Sequence, residues 1–289
     1  MLTRVALGLL WLLRLLPLPM LAPLGRGLGL LYYLLGRERR NVALTNLGLC
    51  FPHWSESERQ RVARAHFQAL GRAVLEEGIL WWSSTDRIRR LVRVEGIEHL
   101  EAARARPLIA LAPHFIGLDM GGTRLATEWS GCTIYRRQSN SLMDRMLLRA
   151  RTRFVPQRLF SRREGIRPLV RAMREGLPFH YSPDQDFGPR DSIFVPFFGV
   201  PTATITGVSR IARLARAAVV PAVTRQLPGA GGYVVTFYPA WSDFPTDDEE
   251  RDTRRVNEFI EQRVLEMPEQ YLWVHKRFKT RPPGAASVY

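Results

Sequence analysis

The sequence predicts an α/β protein with a mixed, mostly parallel central sheet, helices on both faces of that sheet, and an N-terminal hydrophobic membrane-anchoring segment. Short apolar runs alternate with stretches of helical periodicity through most of the chain, which is typical of a sheet covered on both faces. The first 36 residues are almost continuously apolar. With 289 residues, 46% of them hydrophobic, the chain can bury a sizeable core and is too apolar to be disordered. We expect a membrane anchor over residues 1–36 and one domain over residues 37–289.

The anchor is predicted to be a hairpin or a pair of helices lying in the membrane interface. Its apolar stretch, Val5–Leu35, is interrupted by Arg14 and Arg26 and by three prolines. A spanning helix needs about 20 apolar residues, and a span here would bury an arginine, which is costly. A single tilted span is the alternative, and a cleaved signal peptide is disfavoured because no small-x-small site follows the apolar region. The next basic residues favour the cytoplasmic side for the body of the protein: Arg37, Arg39 and Arg40.

Helix-capping residues and the spacing of apolar residues predict the order of helices and strands in residues 37–289. Ser55 and Glu58 form a capping box, which predicts a helix that runs to about Ile79. Apolar runs predict buried strands at Leu108–Ala112, Cys132–Tyr135, Pro178–Ser182, Ala218–Val223 and Tyr233–Tyr238. Helical spacing predicts helices at about Leu118–Glu128, Ser141–Arg153, Ile166–Glu175, Thr204–Ala217 and Asp247–Glu266. Because helices separate the strands, most strand pairs should be parallel.

The net charge of the chain limits the classes of binding partner that we expect. Lysine and arginine number 42 against 27 aspartates and glutamates, a net charge of +15, and all but two of the basic residues are arginines. A GC-rich genome explains the preference for arginine but not the excess over acids. Such a surface attracts nucleic acid, anionic lipid or acidic protein. The arginines are dispersed and no nucleic-acid-binding module is recognisable, so we expect no nucleic acid partner. Two cysteines without a CxxC pair disfavour a disulfide scaffold and a zinc site.

The strongest chemical pattern is His114 with Asp119, directly after the first predicted strand. Ligands of open α/β sheets bind at the carboxyl ends of strands, where His114 stands. Asp119 falls in the first turn of the next helix, and if the loop curls back its carboxylate can accept the proton of one imidazole nitrogen. The other nitrogen would then act as a base on a substrate hydroxyl. The alternative is a strand-end histidine and a helix cap with no catalytic role.

The loops after two later strands carry candidate substrate-binding residues. The first follows Cys132–Tyr135 and could hold a phosphate or a thioester-bearing arm, with a solvated basic loop as the alternative; its candidates are Arg136, Asn140 and Asp144. The second follows Pro178–Ser182 and could bind sugar hydroxyls or hold Arg136; its candidates are Asp184, Gln185 and Asp186.

Two aromatic segments follow. The run Val195–Phe198 lies among prolines and glycines and cannot form an ordinary helix, so it either lines an acyl-chain groove or packs in the core. Its groove candidates are Phe194, Phe197 and Phe198, and the threonines beyond it are interpreted as helix caps: Thr202, Thr204 and Thr206. The run Gln270–Pro282 interleaves bases with aromatics, which suits phosphate-bearing headgroups. Its candidates are Arg277 and Lys279, and His275 is interpreted as structural.

Together these segments resemble the bacterial lipid A biosynthesis acyltransferases of the lauroyl- and myristoyl-transferase type. The resemblance rests on His114 with Asp119, Tyr135-Arg136, Pro183–Asp186, Phe194–Gly199 and Gln270–Pro282, in the expected order. N-terminal segments are also similar: Arg40-Asn41, Cys50-Phe51-Pro52 and Trp81-Trp82. The resemblance covers nearly the whole chain, and several ordered motifs are far more specific than any one of them.

The resemblance implies an enzyme on the cytoplasmic face of the inner membrane. It would take a fatty acyl group from acyl carrier protein, or from coenzyme A as in some relatives, and esterify a hydroxyl of an anionic lipid A precursor. His114 would be the general base and Asp119 its partner, with Arg136 and Asp184–Asp186 as substrate contacts in an acyltransferase domain over 37–289. The implied chemistry needs no metal and no cofactor, because the acyl-phosphopantetheine thioester is a co-substrate. The alternatives are another membrane glycolipid as acceptor, a hydrolase that uses water and, most distant, a basic nucleic-acid-binding protein without catalysis.

Overall fold

A seven-stranded sheet lies at the centre of the computed structural model, which describes residues 2–289. The strands are β1 (Val92–Glu95), β2 (Leu108–Leu111), β3 (Gly131–Tyr135), β4 (Gln157–Ser161), β5 (Phe179–Tyr181), β6 (Ser192–Phe197), β7 (Val200–Ile205), β8 (Ala218–Gln226) and β9 (Tyr233–Phe237). The sheet has the order β1-β9-β8-β2-β5-β3-β4, while β6 and β7 form a separate antiparallel hairpin. Within the sheet β8 and β9 pair antiparallel and the other neighbours pair parallel.

Helices precede the sheet and connect its strands. They are α1 (Leu2–Leu13), α2 (Leu18–Leu35), α3 (Arg37–Cys50), α4 (Glu56–Trp82), α5 (Thr85–Leu91), α6 (Ile97–Ala103), α7 (Leu118–Leu125), α8 (Ser141–Thr152), α9 (Arg167–Arg174), α10 (Gly207–Ala215) and α11 (Glu249–Glu266). The predicted capping box is present at the start of α4, where Ser55 and Glu58 bond each other's backbone nitrogens. The strands and helices that the sequence predicted occur in the predicted order, among further elements that it did not predict.

The two faces of the sheet pack against two separate cores, and α4 contributes to both. Side chains alternate along β2, so that Ile109 and Leu111 enter one core while Leu108 and Ala110 enter the other. The first core contains the apolar sides of α9, α10 and α11 together with residues of α2, α3 and the first half of α4. The second contains residues of α1, α6, α7, α8 and the end of α4. The predicted fold class, with helices on both faces of a mostly parallel sheet, is confirmed.

The predicted strands are present. Of the strands that the sequence did not predict, β6 and β7 form the separate hairpin and β1 and β4 are polar. β1 reads VRVE and β4 reads QRLFS, so neither forms a continuous apolar run, and both lie at the edges of the sheet. The expected helix start at Thr204 is wrong, because Thr202 and Thr204 lie buried in β7 and the helix begins at Gly207. Thr206 is the N-cap residue of α10, but its side chain makes no capping hydrogen bond.

The N-terminal pair of helices packs on α4 through close backbone contact. Gly25 and Gly29 of α2 face Gly71 of α4, and a β-carbon on Gly71 would lie 2.3 Å from the Gly29 nitrogen. The helices approach this closely because no side chain separates them. The Arg87 side chain also holds the end of α1. It donates hydrogen bonds to the carbonyl oxygens of Arg14 and Leu16.

The outer sides of α1 and α2 are apolar and exposed. Met20, Leu24, Leu28 and Leu31 recur at helical spacing along α2. On α1 the exposed residues at this spacing are Val5, Leu9 and Leu12. By length and composition Leu18–Leu35 could cross a bilayer, and 33% of it is buried inside the protein. The membrane location of residues 1–36 stays a prediction.

Candidate active site

His114 and Asp184 meet at the carboxyl edge of the sheet. β2 and β5 are parallel neighbours, and the chain leaves them through residues 112–114 and 182–184. His114 Nδ1 lies 2.7 Å from Asp184 Oδ1, and the His114 peptide N–H donates to Asp184 Oδ2 at 2.9 Å. Both carboxylate oxygens of Asp184 therefore hold the same histidine, one through its ring and the other through its backbone.

Burial and charge set the protonation of this pair. Burial alone lowers the pKa of His114, but the charge of Asp184 and its hydrogen bond raise that pKa above the ordinary value of 6.5. Burial raises the pKa of Asp184, but the charge of His114 and its hydrogen bonds bring that pKa below 3.8. The Asp184 side chain is 1% exposed and the His114 side chain 23%. With Nδ1 held by a buried carboxylate, Nε2 is the nitrogen left for a substrate proton.

The hydrogen-bond partner of His114 is Asp184 and not Asp119, which corrects the predicted pairing. Asp119 lies in the first turn of α7 as predicted, but its side chain is 60% exposed and its Oδ1 is 3.5 Å from Arg151 Nη2. The reason is topological, because the exit loop of β5 runs beside that of β2 while α7 turns away towards the second core. After burial and Asp184, the charge of Asp119 also raises the pKa of His114. A catalytic role for Asp119 stays a prediction.

The C-terminal segment crosses the exit of β2 and closes one side of the site. Tyr271 is buried against Asp184, and burial followed by the charge of Asp184 raises the pKa of Tyr271 well above its ordinary value. Backbone contacts fix the segment: a bridge between Phe115 and Tyr271, the Ile116 N–H to Gln270 O at 2.8 Å, and the Leu272 N–H to His114 O at 3.1 Å. The backbone on both sides of the histidine is therefore held by protein contacts.

Asp186 anchors the loop after β5 to this C-terminal segment. Its carboxylate accepts hydrogen bonds from the Thr280 N–H at 2.6 Å and from the Thr280 hydroxyl at 2.8 Å. The Asp186 N–H donates to His275 Nε2 at 3.0 Å, and burial lowers the pKa of His275 to about 4, which keeps the ring neutral. His275 is structural, as predicted. Asp186 is buried and used by the fold, in place of the predicted substrate contact, whereas Gln185 is half-buried beside the site.

Asn140 and Asp144 shape the loop after β3, in place of the predicted substrate contacts. The Asn140 side chain caps α8 by accepting two backbone N–H groups at 3.0 and 3.1 Å, and it donates to Thr3 Oγ1 of α1 at 2.9 Å. Asp144 is buried and accepts from the Tyr135 hydroxyl and, at 2.7 Å, from the Gln138 N–H. The helix-capping propensity of asparagine was the sequence signal for this arrangement.

The predicted basic contacts lie in different environments. Arg277 is 2% exposed and donates to Ala203 O at 2.8 Å and to Thr204 Oγ1 at 2.9 Å. It is therefore a core residue and not a headgroup contact, because the hairpin β6–β7 covers it. Arg136 and Lys279 are exposed and can still bind an anionic group.

The predicted groove phenylalanines belong to the hairpin β6–β7. Phe197 is fully buried, with its ring centroid 5.7 Å from that of Tyr271, so it packs in the core and lines no open groove. Phe198 is half-buried and lines a cavity of about 350 Å³ together with Phe51 and Trp54. Phe194 is half-buried. The alternation of side chains along the strand separates residues that the sequence placed together.

No cysteine supplies a nucleophile to this site. Burial raises the pKa of the Cys50 thiol far above its ordinary value and that of Cys132 to about 12, so neither is a thiolate near neutral pH. Within residues 2–289, no three His, Cys, Asp or Glu side chains lie close enough together to hold a metal ion.

Sequence reasoning missed three charged or titratable groups beside the pair. Burial lowers the pKa of His180, on β5, to about 4. Burial, followed by the charge of Asp119, raises the pKa of Glu77 on α4 to about 8. Arg151 of α8 pairs with Asp119. The sequence carried little evidence for this cluster, because its members lie on two helices and a strand that are far apart in the chain and meet only in the folded protein.

The fold and the site define an α/β protein in which a buried carboxylate holds a partly exposed histidine at the carboxyl edge of the sheet, with both cysteines buried. Comparisons with known proteins identify the family of this chain. The family described as bacterial lipid A biosynthesis acyltransferase matches residues 1–280. The chain is 36% identical over 291 aligned residues to the lipid A biosynthesis lauroyltransferase of Escherichia coli K12, covering 100% of this chain and 94% of that protein.

Two further relatives from the same organism are similar over most of their length. The lipid A biosynthesis palmitoleoyltransferase is 35% identical, with 100% of this chain and 94% of that protein covered. The lipid A biosynthesis myristoyltransferase is 34% identical, with 94% and 83% covered. The chain belongs to the bacterial lipid A biosynthesis acyltransferase family. The predicted family and enzyme class, an O-acyltransferase, are confirmed.

Proposed function

We propose that this protein transfers a fatty acyl group from acyl carrier protein, or from coenzyme A, to a hydroxyl of a lipid A precursor, with His114 as the general base. The observation that carries the proposal is the buried Asp184 on Nδ1 of a partly exposed His114. A carboxylate on one nitrogen fixes the tautomer in which the other nitrogen can accept a proton. The names of the relatives, which are lipid A acyltransferases, support the acceptor.

The reaction is a direct transfer. His114 Nε2 takes the proton of the acceptor hydroxyl while that oxygen attacks the thioester carbonyl. The new C–O ester bond forms as the C–S bond breaks, and the imidazolium returns the proton to the leaving thiolate. Asp184 holds the ring and stabilises its positive charge, and Asp119 adds a second negative charge nearby. A thioester is already activated, so positioning and a base suffice without a covalent enzyme intermediate, a metal or a cofactor.

The substrates reach this site at a membrane surface. The exposed apolar sides of α1 and α2 support their lying in the interface of the inner membrane, with the body on the cytoplasmic side. The net charge of +15 suits both an anionic glycolipid and an acidic carrier protein. Arg136, Gln185 and Lys279 are the remaining candidates for substrate contacts.

Mass spectrometry of the lipid product tests the function. Purified enzyme in detergent is mixed with lauroyl-charged carrier protein and a lipid A precursor, and we expect the acceptor to gain the mass of one acyl chain. His114→Ala should reduce the rate by roughly 10²–10⁴-fold, the usual contribution of a general base. The matched control is His99→Ala, since His99 lies on α6, which leads into the end of β2 opposite to His114. Full activity in His114→Ala would contradict the proposal.

The same assay separates the alternatives. Release of free fatty acid at the same rate with and without acceptor would indicate a hydrolase. Transfer only to a different membrane glycolipid would keep the chemistry and replace the acceptor.

A further inference from the structure

Two neighbouring helices, α9 and α10, present a continuous basic surface. Each buries its apolar side in the first core, α9 through Leu169 and Met173, and α10 through Val208 and Ile211. Their outer sides, with the residue that ends α10, carry exposed arginines, which we name the α9–α10 arginine face: Arg167, Arg171, Arg174, Arg210, Arg213 and Arg216. Neither helix contains an aspartate or glutamate.

The lack of acids distinguishes this face from the other arginine-rich helices. α4, α5, α8 and α11 all mix arginines with carboxylates. A genomic preference for arginine over lysine does not remove acids from two adjacent helices. Two carboxylates lie near the face. Among the ion pairs of the described residues, the exposed Asp191 is 3.5 Å from Arg210. Glu175, which follows Arg174 at the end of α9, pairs with Arg158, outside the face.

The open part of the face is the stripe formed by Arg167 and Arg171. Arg174 is occupied by the Leu214 carbonyl oxygen at 2.8 Å and Arg213 by the Thr246 carbonyl oxygen. Within the part of the chain that the structure describes, Arg167 and Arg171 make no ion pair. They lie one helical turn apart and point from the same side of α9.

The face begins at the edge of the sheet that holds the active site. α9 leads into β5 and α10 into β8, and both strands run parallel to β2, so both helices start at the carboxyl edge. A β-carbon on Gly207, the first residue of α10, would lie 2.3 Å from the Tyr181 hydroxyl. The start of α10 therefore abuts the residue that ends β5, just before the loop that carries Asp184.

The face is also separate from the apolar surface that suits a membrane. The exposed residues of α9 and α10 are mainly arginines, with one exposed leucine, Leu214. The exposed residues of α1 and α2 are mainly leucines. A partner in solution therefore fits the arginine face better than a bilayer does.

We propose that the α9–α10 arginine face docks the acidic carrier protein that delivers the acyl thioester. This inference rests on the proposed function, because the carrier is the donor of that reaction. Charge complementarity raises the encounter rate and orients the partner, and the position of the face would bring the carrier to the edge of the sheet where His114 lies.

Steady-state kinetics with two donors tests the docking. The variant Arg167→Glu/Arg171→Glu is compared with Arg93→Glu/Arg104→Glu, which makes the same change in charge at exposed residues of β1 and the end of α6. With lauroyl-charged carrier protein, we expect the first variant to raise KM roughly tenfold, as expected for reversing two charge contacts. With lauroyl-coenzyme A, which lacks the carrier, kcat and KM should match the wild type. The Arg93→Glu/Arg104→Glu variant should have the wild-type KM for both donors.

Direct binding gives a readout that does not depend on turnover. Fluorescence anisotropy of labelled carrier protein without an acyl chain should show weaker binding to the first variant and a shallower dependence on salt. An unchanged carrier KM in an active Arg167→Glu/Arg171→Glu enzyme would overturn the docking proposal and leave the proposed function standing. The docking proposal would also be overturned if the Arg167→Glu/Arg171→Glu enzyme lost binding to anionic vesicles while its binding to the carrier protein stayed unchanged. If the wild type transferred from neither donor, the proposed function itself would fail and the docking proposal with it.

Discussion

At the scale of single residues, the two carboxylates near His114 act in different ways. Asp184 is buried and bonds both the ring and the backbone of the histidine, whereas Asp119 is exposed and acts through its charge. The sequence identified His114 as the candidate base, because a histidine that follows a buried apolar run can be recognised without knowledge of the tertiary structure. It did not identify the partner, because the choice between Asp119 and Asp184 depends on β5 lying next to β2.

The protonation of His114 predicts a rising limb in the pH dependence of kcat/KM. The base acts when neutral and its pKa lies above 6.5, so activity should rise as the pH increases through a midpoint above that value. Asp184→Asn removes the charge that raises this pKa, so the limb should move to lower pH. Its plateau should fall by roughly 10²–10⁴-fold, since the tautomer is no longer held. Rate measurements over about pH 5–9 check both effects.

Asp119→Asn is the matched comparison for that experiment. It also removes a negative charge but leaves the Nδ1 hydrogen bond in place, so we expect a shift of the limb in the same direction with a smaller loss at the plateau. An equal or larger loss in Asp119→Asn would mean that Asp119, as the sequence predicted, is the carboxylate that orients the base during turnover.

At the scale of elements, the contact between α2 and α4 joins the N-terminal pair of helices to the catalytic body. Helix periodicity and the prolines predicted separate apolar helices, but the partner of α2 was unknown from the sequence. The small residues Gly25 and Gly29 lie on the buried side of α2, whereas Leu24 and Leu31 are exposed. The close crossing also depends on Gly71 of α4, where a side chain would collide with α2.

Gly71→Ala should weaken this contact. The new β-carbon would meet the Gly29 nitrogen at 2.3 Å, so α2 must move, at a cost of about 1–3 kcal/mol. The control is Gly27→Ala, because a β-carbon there meets nothing within 4 Å and alanine favours the helix by up to about 1 kcal/mol. Thermal unfolding in detergent measures both changes. Equal unfolding temperatures for Gly71→Ala and the wild type would contradict the tight crossing.

At the scale of the whole molecule, apolar and basic surfaces lie on different helices. Leucines of α1 and α2 form the exposed apolar surface, whereas the arginine face lies on α9 and α10, which cover the first core. The arginine face begins at the sheet edge that carries His114. This arrangement suits an enzyme whose acceptor arrives in a bilayer and whose donor arrives in solution.

The apolar surface predicts that charges on α2 release the protein from membranes. Leu24→Glu/Leu31→Glu places two acids on residues that are each 51% exposed. We expect sedimentation with vesicles containing anionic lipid to fall at least severalfold, because burying charge in the interface is unfavourable. Leu265→Glu, at 61% exposure on α11, should leave sedimentation unchanged. If the α2 variant sedimented like the wild type, the interface location of this surface would be wrong.

The sequence by itself determined the features that can be recognised along the chain: the α/β class, the apolar N-terminal segment, the main strands, the excess of positive charge and the position of His114 at a strand end. Only the tertiary structure decided the relations between distant segments. It paired His114 with Asp184, buried Arg277 and Phe197 beneath a hairpin, and turned Asn140, Asp144 and Asp186 into anchors of loops. The physical reason is that periodicity records which side of an element is buried, whereas the partner of a polar side chain depends on strand order and helix packing, which a single sequence does not encode locally.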